Sequence, residues 1–113
     1  MSVFYSLRIN LHSKINSQDV DKILNVITDF DLITWVLEKD NTDSEIFYDY
    51  IKYFLDLLEE KYDKLCEFGI KNNDISIWYL YEYEEQCNME FSPLNLKRMG
   101  ENGITLCISC WEK

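Results

Sequence analysis

Two sets of side chains in this sequence could do chemistry: a closely spaced pair of cysteines and a large excess of carboxylates. The pair, Cys107-Ile-Ser-Cys110, has the C-x-x-C spacing that is typical of metal sites and redox motifs. It falls in a predicted strand, however, where positions three apart point to opposite faces. The sequence has no second C-x-x-C and a single histidine, His12, too few ligands for a zinc site. We therefore interpret the cysteines as free thiols, and we predict no metal site and no cofactor.

Nucleophilic catalysis requires a base beside the nucleophile, and His12 is the sole histidine. Strand parity places Cys107 on the same face, but nothing in the sequence brings the two within hydrogen-bond reach. Glycine-rich phosphate loops and the H-E-x-x-H and EF-hand spacings are missing. Paired carboxylates on helix surfaces are usually solvated rather than catalytic. The sequence therefore indicates a binding protein, and we predict no catalytic residues and no enzymatic activity.

The carboxylates dominate the charge, with 21 acidic side chains against 11 basic ones and a formal net charge of -10. Such a surface repels nucleic acid and anionic lipid, because binding either one requires Lys and Arg to neutralise phosphates. It attracts basic proteins and accelerates their association at low salt. The alternative is that the acidity only keeps a small protein soluble. We predict a basic protein partner, and no binding to nucleic acid or membrane.

A long helix, predicted from Glu45 to Phe68, would place many of these acids on one face. Thr42-Asp-Ser-Glu45 has the capping-box pattern at its start, and Gly69 has the usual position of a glycine that ends a helix. The apolar face, at three-and-four spacing, reads Phe47, Ile51, Phe54, Leu58, Tyr62 and Leu65. The acidic face, interrupted by Lys52, reads Glu45, Asp49, Asp56, Glu59, Asp63 and Glu67. We predict that this acidic row binds the partner, supplemented around the third strand by Glu82, Glu84, Glu85 and Glu90.

A second candidate surface is a sheet face. Strands are predicted over residues 3–12, 32–37, about 74–84 and 104–110, and three of them alternate strictly between apolar and polar residues. This pattern is typical of a sheet that helices cover on one face only. By parity the open face carries Phe4, Arg8, Trp78, Leu80, Cys107 and Trp111, and also Trp35 if the second strand is in that register. Exposed tryptophans are typical of binding patches, so Trp78 and Trp111 are predicted partner contacts. Alternatively, another element or a dimer partner covers this face.

Two further helices complete the expected order β-α-β-α-β-α-β. Asn16 or Ser17 would cap one that runs to about Thr28, and Ser92-Pro93 would start the other. We predict one α+β domain over residues 1–113, with helices on one face of a four-stranded, largely antiparallel or mixed sheet whose strand order is left open. No apolar stretch approaches the roughly 18 residues that cross a bilayer. The first residues read as a strand rather than an export leader, so we expect a cytoplasmic protein.

The back half of the chain carries a family resemblance. Its residues are Phe91-Ser92-Pro93-Leu94-x-Leu96-x-x-Met99, then Gly103-Ile104-x-Leu106-x-Ile108 and Trp111. In these motifs, and in the order of the long helix and the Trp35-x-Leu37 strand, the chain resembles the bacterial domain-of-unknown-function (DUF) family 4279. The resemblance implies a shared layout and no catalytic residues. In size and charge alone, the chain is also similar to bacterial immunity proteins, the small acidic inhibitors of secreted toxins such as those of contact-dependent growth inhibition.

Three functions are consistent with these patterns. The first is an immunity protein that neutralises a cognate toxin, with a nuclease domain as the expected target, through its acidic surface. The second is a nucleic-acid mimic that inhibits a DNA-binding complex. The third is a small ligand-binding or metabolic module that uses the open sheet face around Trp78 and Trp111. Neither the oligomeric state nor the choice between the acidic helix and the aromatic face follows from the sequence.

Overall fold

A four-stranded mixed sheet forms the frame of the protein in the computed structural model, which describes residues 2–11, 17–26, 34–43 and 47–113. The strands are β1 (Val3–Asn10), β2 (Thr34–Asp40), β3 (Ile75–Tyr83) and β4 (Thr105–Glu112). In the sheet order β2-β1-β3-β4, β1 is antiparallel to both neighbours and β4 is parallel to β3. The parallel pair requires a crossover connection, which residues 84–104 provide. The predicted α+β class with a four-stranded sheet is confirmed, and the strand order is now defined.

One face of the sheet carries the core. Tyr5, Leu7 and Ile9 of β1 are buried, as the alternation predicts. Leu7 lies opposite Ile77 and Ile9 opposite Ile75, so these side chains share a face. Full burial of each large apolar side chain contributes about 1.5–3 kcal/mol. The helices supply the remaining core residues, which include Val20, Leu24, Ile51, Phe54, Leu55, Leu58, Leu65 and Met99.

The register of β2 corrects one prediction. Trp35 lies opposite Ile9 and is 0% exposed, so it belongs to the core face and not to the open face. Its indole Nε1 donates to Asp21 Oδ1 at 2.8 Å, which ties β2 to helix α1 (Ser17–Leu24). A buried indole requires such a hydrogen-bond acceptor. The helix ends earlier than predicted, because Asn25 has a left-handed φ of 57°.

Several predicted features fall outside the described residues: His12, the alternative cap Asn16, the predicted helix end at Thr28, the first residues of the second strand, and Glu45.

The predicted central helix is two helices. These are α2 (Tyr50–Leu58) and α3 (Tyr62–Glu67), separated where Glu60 has a φ of 71°. The prediction of one helix from Glu45 to Phe68 was wrong because the apolar spacing continues through a segment with no glycine or proline. Tertiary packing decides the break: α2 packs against the last helix, α4 (Pro93–Asn102), whereas α3 packs against α1. Leu58 and Leu65 are both buried as a result.

The start of α2 also differs from the prediction. Its N-cap is Asp49, whose Oδ1 accepts from the backbone N–H of Lys52 at 3.2 Å. Thr42 does not open this helix; its Oγ1 accepts from the backbone N–H of Val3 at 3.1 Å. Phe47 therefore precedes the helix and is 67% exposed, so it is not part of the core.

The predicted end of the central helical segment and both predicted limits of α4 hold. Ser92 caps α4 by accepting from the backbone N–H of Asn95 at 3.1 Å, with Pro93 in the first turn. Gly103 ends that helix with a φ of 66°, and Gly69 follows α3 with a φ of 85°. A short 3-10 helix, Asn72–Asp74, leads into β3. Within the described ranges, no helix has the length and apolar character needed to cross a membrane.

Candidate partner-binding surfaces

The middle of the predicted acidic row contacts α4. Arg98 Nη2 lies 2.9 Å from Asp56 Oδ1 and 2.8 Å from Glu59 Oε1. Asn102 Nδ2 also donates to Glu59 Oε1, at 3.2 Å. At the start of α2, Asn95 Nδ2 donates to Asp49 Oδ1 at 3.0 Å. Three of the predicted partner-binding acids therefore hold two helices of the same chain together.

These contacts change the electrostatics of the row. The hydrogen bonds from Arg98, and then from Asn102, hold the pKa of Glu59 below its ordinary value. The pKa of Asp56 is lowered first by Lys52, whose Nζ lies 2.7 Å from Oδ2, and then by Arg98. The carboxylates stay charged, but part of their field is neutralised by the adjacent cations. Asp63 and Glu67 are exposed on α3, beyond the break.

Sequence reasoning missed the polar face of α4. Asn95, Arg98 and Asn102 recur at spacings of three and four, so they lie on one side of the helix. In the structure this side faces the acids of α2 in matching order, from Asp49 to Glu59. The spacing of the three residues was a usable signal, but the facing helix could not be identified without the strand order.

A second group of acids meets at one end of the sheet. The end of β2 pairs with the start of β1 (Asp40 with Phe4), and the ends of β3 and β4 pair with each other (Tyr83 with Glu112). This register places six carboxylates at one end of the sheet, spread from the β2 edge to the β4 edge, which we call the acidic sheet end: Asp40, Asp43, Glu82, Glu84, Glu85 and Glu112. Lys113 Nζ lies 3.5 Å from Glu84 Oε1. The predicted acids Glu82, Glu84 and Glu85 are therefore brought together, whereas the helix acids lie in a different layer.

The open sheet face is partly covered by its own side chains. The guanidinium carbon of Arg8 lies 4.3 Å from the centroid of the Trp78 ring. Arg8 Nε donates to Ser6 Oγ at 3.1 Å, and Trp78 Nε1 donates to Ser76 Oγ at 2.8 Å. Ser6 is 0% exposed on this face, and its hydroxyl is the acceptor for Arg8. Trp78 thus has both its ring and its N–H engaged, and it is only partly exposed.

Trp111 is a more open aromatic residue on the same face. It lies opposite Glu82 in the β3–β4 register and is 39% exposed. Its Nε1 donates to Glu82 Oε2 at 3.4 Å, while Glu82 Oε1 accepts from the backbone N–H of Ser2 at 3.2 Å. Glu82 belongs to the acidic sheet end, so this contact makes the aromatic face and the acidic sheet end one continuous surface.

The cysteine pair is split across the sheet. Cys107 lies opposite Trp78 on the open face, whereas Cys110 lies opposite Tyr81 and shares the core-side face. Burial, together with a hydrogen bond to Cys110, raises the pKa of the Cys87 thiol. All four cysteines are free thiols. In the part of the chain that the structure describes, no three His, Cys, Asp or Glu residues come together as a metal site.

No protein-family model, curated protein sequence or solved structure matches this chain. The resemblance to DUF family 4279 and the analogy with immunity proteins therefore stay predictions.

Proposed function

We propose that this chain is an immunity-type inhibitor that binds the basic toxin domain of a neighbouring gene, with a nuclease domain as the expected target. The observation that supports this most directly is the contact of Trp111 with Glu82, at 3.4 Å. It joins an exposed aromatic side chain to a group of carboxylates, and this combination suits a basic protein surface. Aromatic residues supply most of the energy of a typical interface, and the charges around them set partner choice and association rate.

In this proposal the partner binds the sheet, at Trp111 and the acidic sheet end, and not the acidic row on the helices. Asp56 and Glu59 are partly neutralised by Arg98, so their attraction for a foreign cation is reduced. At the acidic sheet end, Glu85 and Glu112 are exposed. Lys113 lies 3.5 Å from Glu84, farther than Arg98 lies from Asp56 and Glu59, and Lys113 is itself exposed. The helices lie on the opposite side of the sheet from Trp111, so one flat partner surface cannot contact both groups of acids.

The chemistry of a nuclease fits this surface. A phosphate-binding cleft presents Lys and Arg, and carboxylates at its rim occupy those cations in place of the nucleic acid backbone. The net charge of -10 increases the rate of encounter with such a cleft at low salt. Asp63 and Glu67 on α3 contribute to that long-range attraction without direct contact in the complex.

Copurification with the toxin domain encoded next to this gene, followed by measurement of binding kinetics, tests the proposal. Trp111→Ala should weaken binding by about tenfold or more, mainly through faster dissociation. The double substitution Glu84→Gln and Glu85→Gln should slow association and flatten its salt dependence. Leu94→Ala is the matched apolar control, since Leu94 is 68% exposed on α4.

Two results would contradict the proposal. If the pair Asp63→Asn and Glu67→Gln slows association while the Glu84 and Glu85 pair does not, the partner binds the helix side. If the purified protein binds no such toxin domain at micromolar concentration in low salt, the immunity function itself is wrong.

A further inference from the structure

A cavity lies on the helix side of the molecule, between the start of α2 and the segment that precedes α4. Its volume is about 280 Å³, and its walls include Phe47, Tyr50, Tyr79, Met89, Glu90 and Phe91. Beside it is a second hollow of about 400 Å³, which shares Phe47, Tyr50, Glu90 and Phe91 and extends to the first turn of α4. The walls come from three separate segments of the chain, so the cavity is a product of the tertiary fold.

The wall residue Tyr50 has an unsatisfied polar group. Its side chain is almost fully buried, at 1% exposure, and its phenol oxygen has no hydrogen-bond partner among the described residues. The ring is held firmly, since it stacks on Tyr5 at a centroid distance of 4.4 Å and an angle of 7°. Burial raises the pKa of Tyr50, so the group remains a neutral phenol that can accept one hydrogen bond and donate another. The oxygen itself has almost no accessible surface, so a ligand in the cavity does not reach it, and Tyr50 contributes a rigid ring to the wall.

The chemistry of the walls selects the charge of a ligand. Four aromatic rings surround the space, those of Phe47, Tyr50, Tyr79 and Phe91. Aromatic faces attract cations, and sites for alkylated ammonium groups are built from such rings. Glu90 adds a carboxylate, and the described residues that line the two hollows include no lysine or arginine. Among the described wall residues, an anion would meet rings and a like charge, whereas a cation would be stabilised by both.

We propose that this cavity binds a small alkylammonium ion whose charge faces the aromatic rings and Glu90. The proposal does not depend on the toxin-binding function, because Trp111 and Glu82 lie on the other side of the sheet.

Calorimetric titration of the purified protein with butylammonium tests this proposal, with butanol as the neutral analogue and butyrate as the anionic one. Butylammonium should bind, and both analogues should bind at least about tenfold more weakly, because cation–π and ion-pair attraction are lost. Glu90→Gln should weaken butylammonium binding several-fold, whereas Tyr50→Phe, which keeps the ring, should leave it unchanged. Tyr50→Phe keeps the ring and its stack on Tyr5, so folding should be retained.

The controls separate this site from the rest of the surface. Glu84→Gln removes one carboxylate from the acidic sheet end and should leave the affinity for butylammonium unchanged, as should Trp111→Ala. The proposal is overturned if butanol binds as tightly as butylammonium, or if Glu84→Gln weakens binding as much as Glu90→Gln. Binding that is unchanged in Glu90→Gln, or no heat of binding for butylammonium, would also overturn it.

Discussion

Arg98 approaches Glu59 with two nitrogens, Nε at 3.1 Å and Nη2 at 2.8 Å, and both contact the same oxygen, Oε1. Glu59 stands at the C-terminal end of α2, directly before the break in the central helical segment. The contact therefore joins α4 to the point where the chain leaves α2. Glu59, which the sequence pattern assigned to a solvent-facing row, therefore has a structural role.

Removal of the Arg98 contacts should destabilise the fold. Arg98→Met should lower the free energy of unfolding by about 1 kcal/mol, a modest value because the two acids are partly exposed and solvent screens them. Urea denaturation measures this change. The adjacent Lys97→Met is the matched control, since Lys97 makes only a long, exposed contact of 3.8 Å with Glu101. An equal loss in both variants would show that the contacts with Asp56 and Glu59 contribute nothing specific.

The same contact should give a defined pH dependence. The pKa of Glu59 is lower in the folded protein than its ordinary value of 4.5, so its contribution is complete above that pH and is lost as the pH falls through the folded value. The stability difference between the native protein and Glu59→Gln should therefore shrink between about pH 6 and about pH 3. Urea midpoints across this range measure it. In an Arg98→Met background the difference should be smaller, because the hydrogen bond from Asn102 remains but those from Arg98 are lost. A difference that widens on acidification would contradict the assignment.

The break in the central helical segment can be tested by whether Glu60→Gly stabilises or destabilises the protein. Glu60 has a left-handed φ of 71°, which costs a residue with a Cβ about 1 kcal/mol and costs glycine little. Glu60→Gly should therefore stabilise the protein, by up to about 1 kcal/mol in thermal or urea unfolding. Lys64→Gly, inside α3, should instead destabilise it by about 1 kcal/mol. If Glu60→Gly destabilises by the same amount as Lys64→Gly, the helix is continuous.

The unpaired hydroxyl of Tyr50 should reduce stability in the absence of a ligand. Tyr50→Phe removes a buried oxygen that has no partner among the described residues, so unfolding should become less favourable by about 1 kcal/mol. Tyr5→Phe is the matched comparison, since the Tyr5 oxygen accepts from Asn41 Nδ2 at 3.1 Å, and it should destabilise the fold. Thermal unfolding of both variants without added ligand measures this. Destabilisation by Tyr50→Phe would mean that its oxygen is already paired.

Local patterns were sufficient for much of the fold. Alternation in β1 and β3 defined which side chains enter the core, because strand geometry sends successive residues to opposite faces. Ser92 and Gly103 marked the limits of α4. The Ser92 hydroxyl accepts from a backbone N–H at the start of the helix, and Gly103 adopts the left-handed conformation at its end. Parity also placed Trp78 and Trp111 on one open face.

Tertiary structure decided the features that depend on contacts between distant segments. The face of Trp35 required the register of β2 against β1, and the break at Glu60 required the positions of α1 and α4. The partners of Arg98 and the meeting of Glu82 with Trp111 also join residues far apart in the chain. Sequence periodicity reports which way a side chain faces within its own element. Which element it then meets is determined by the packing of the whole chain, and that packing separates acids that hold the fold together from acids available to a partner.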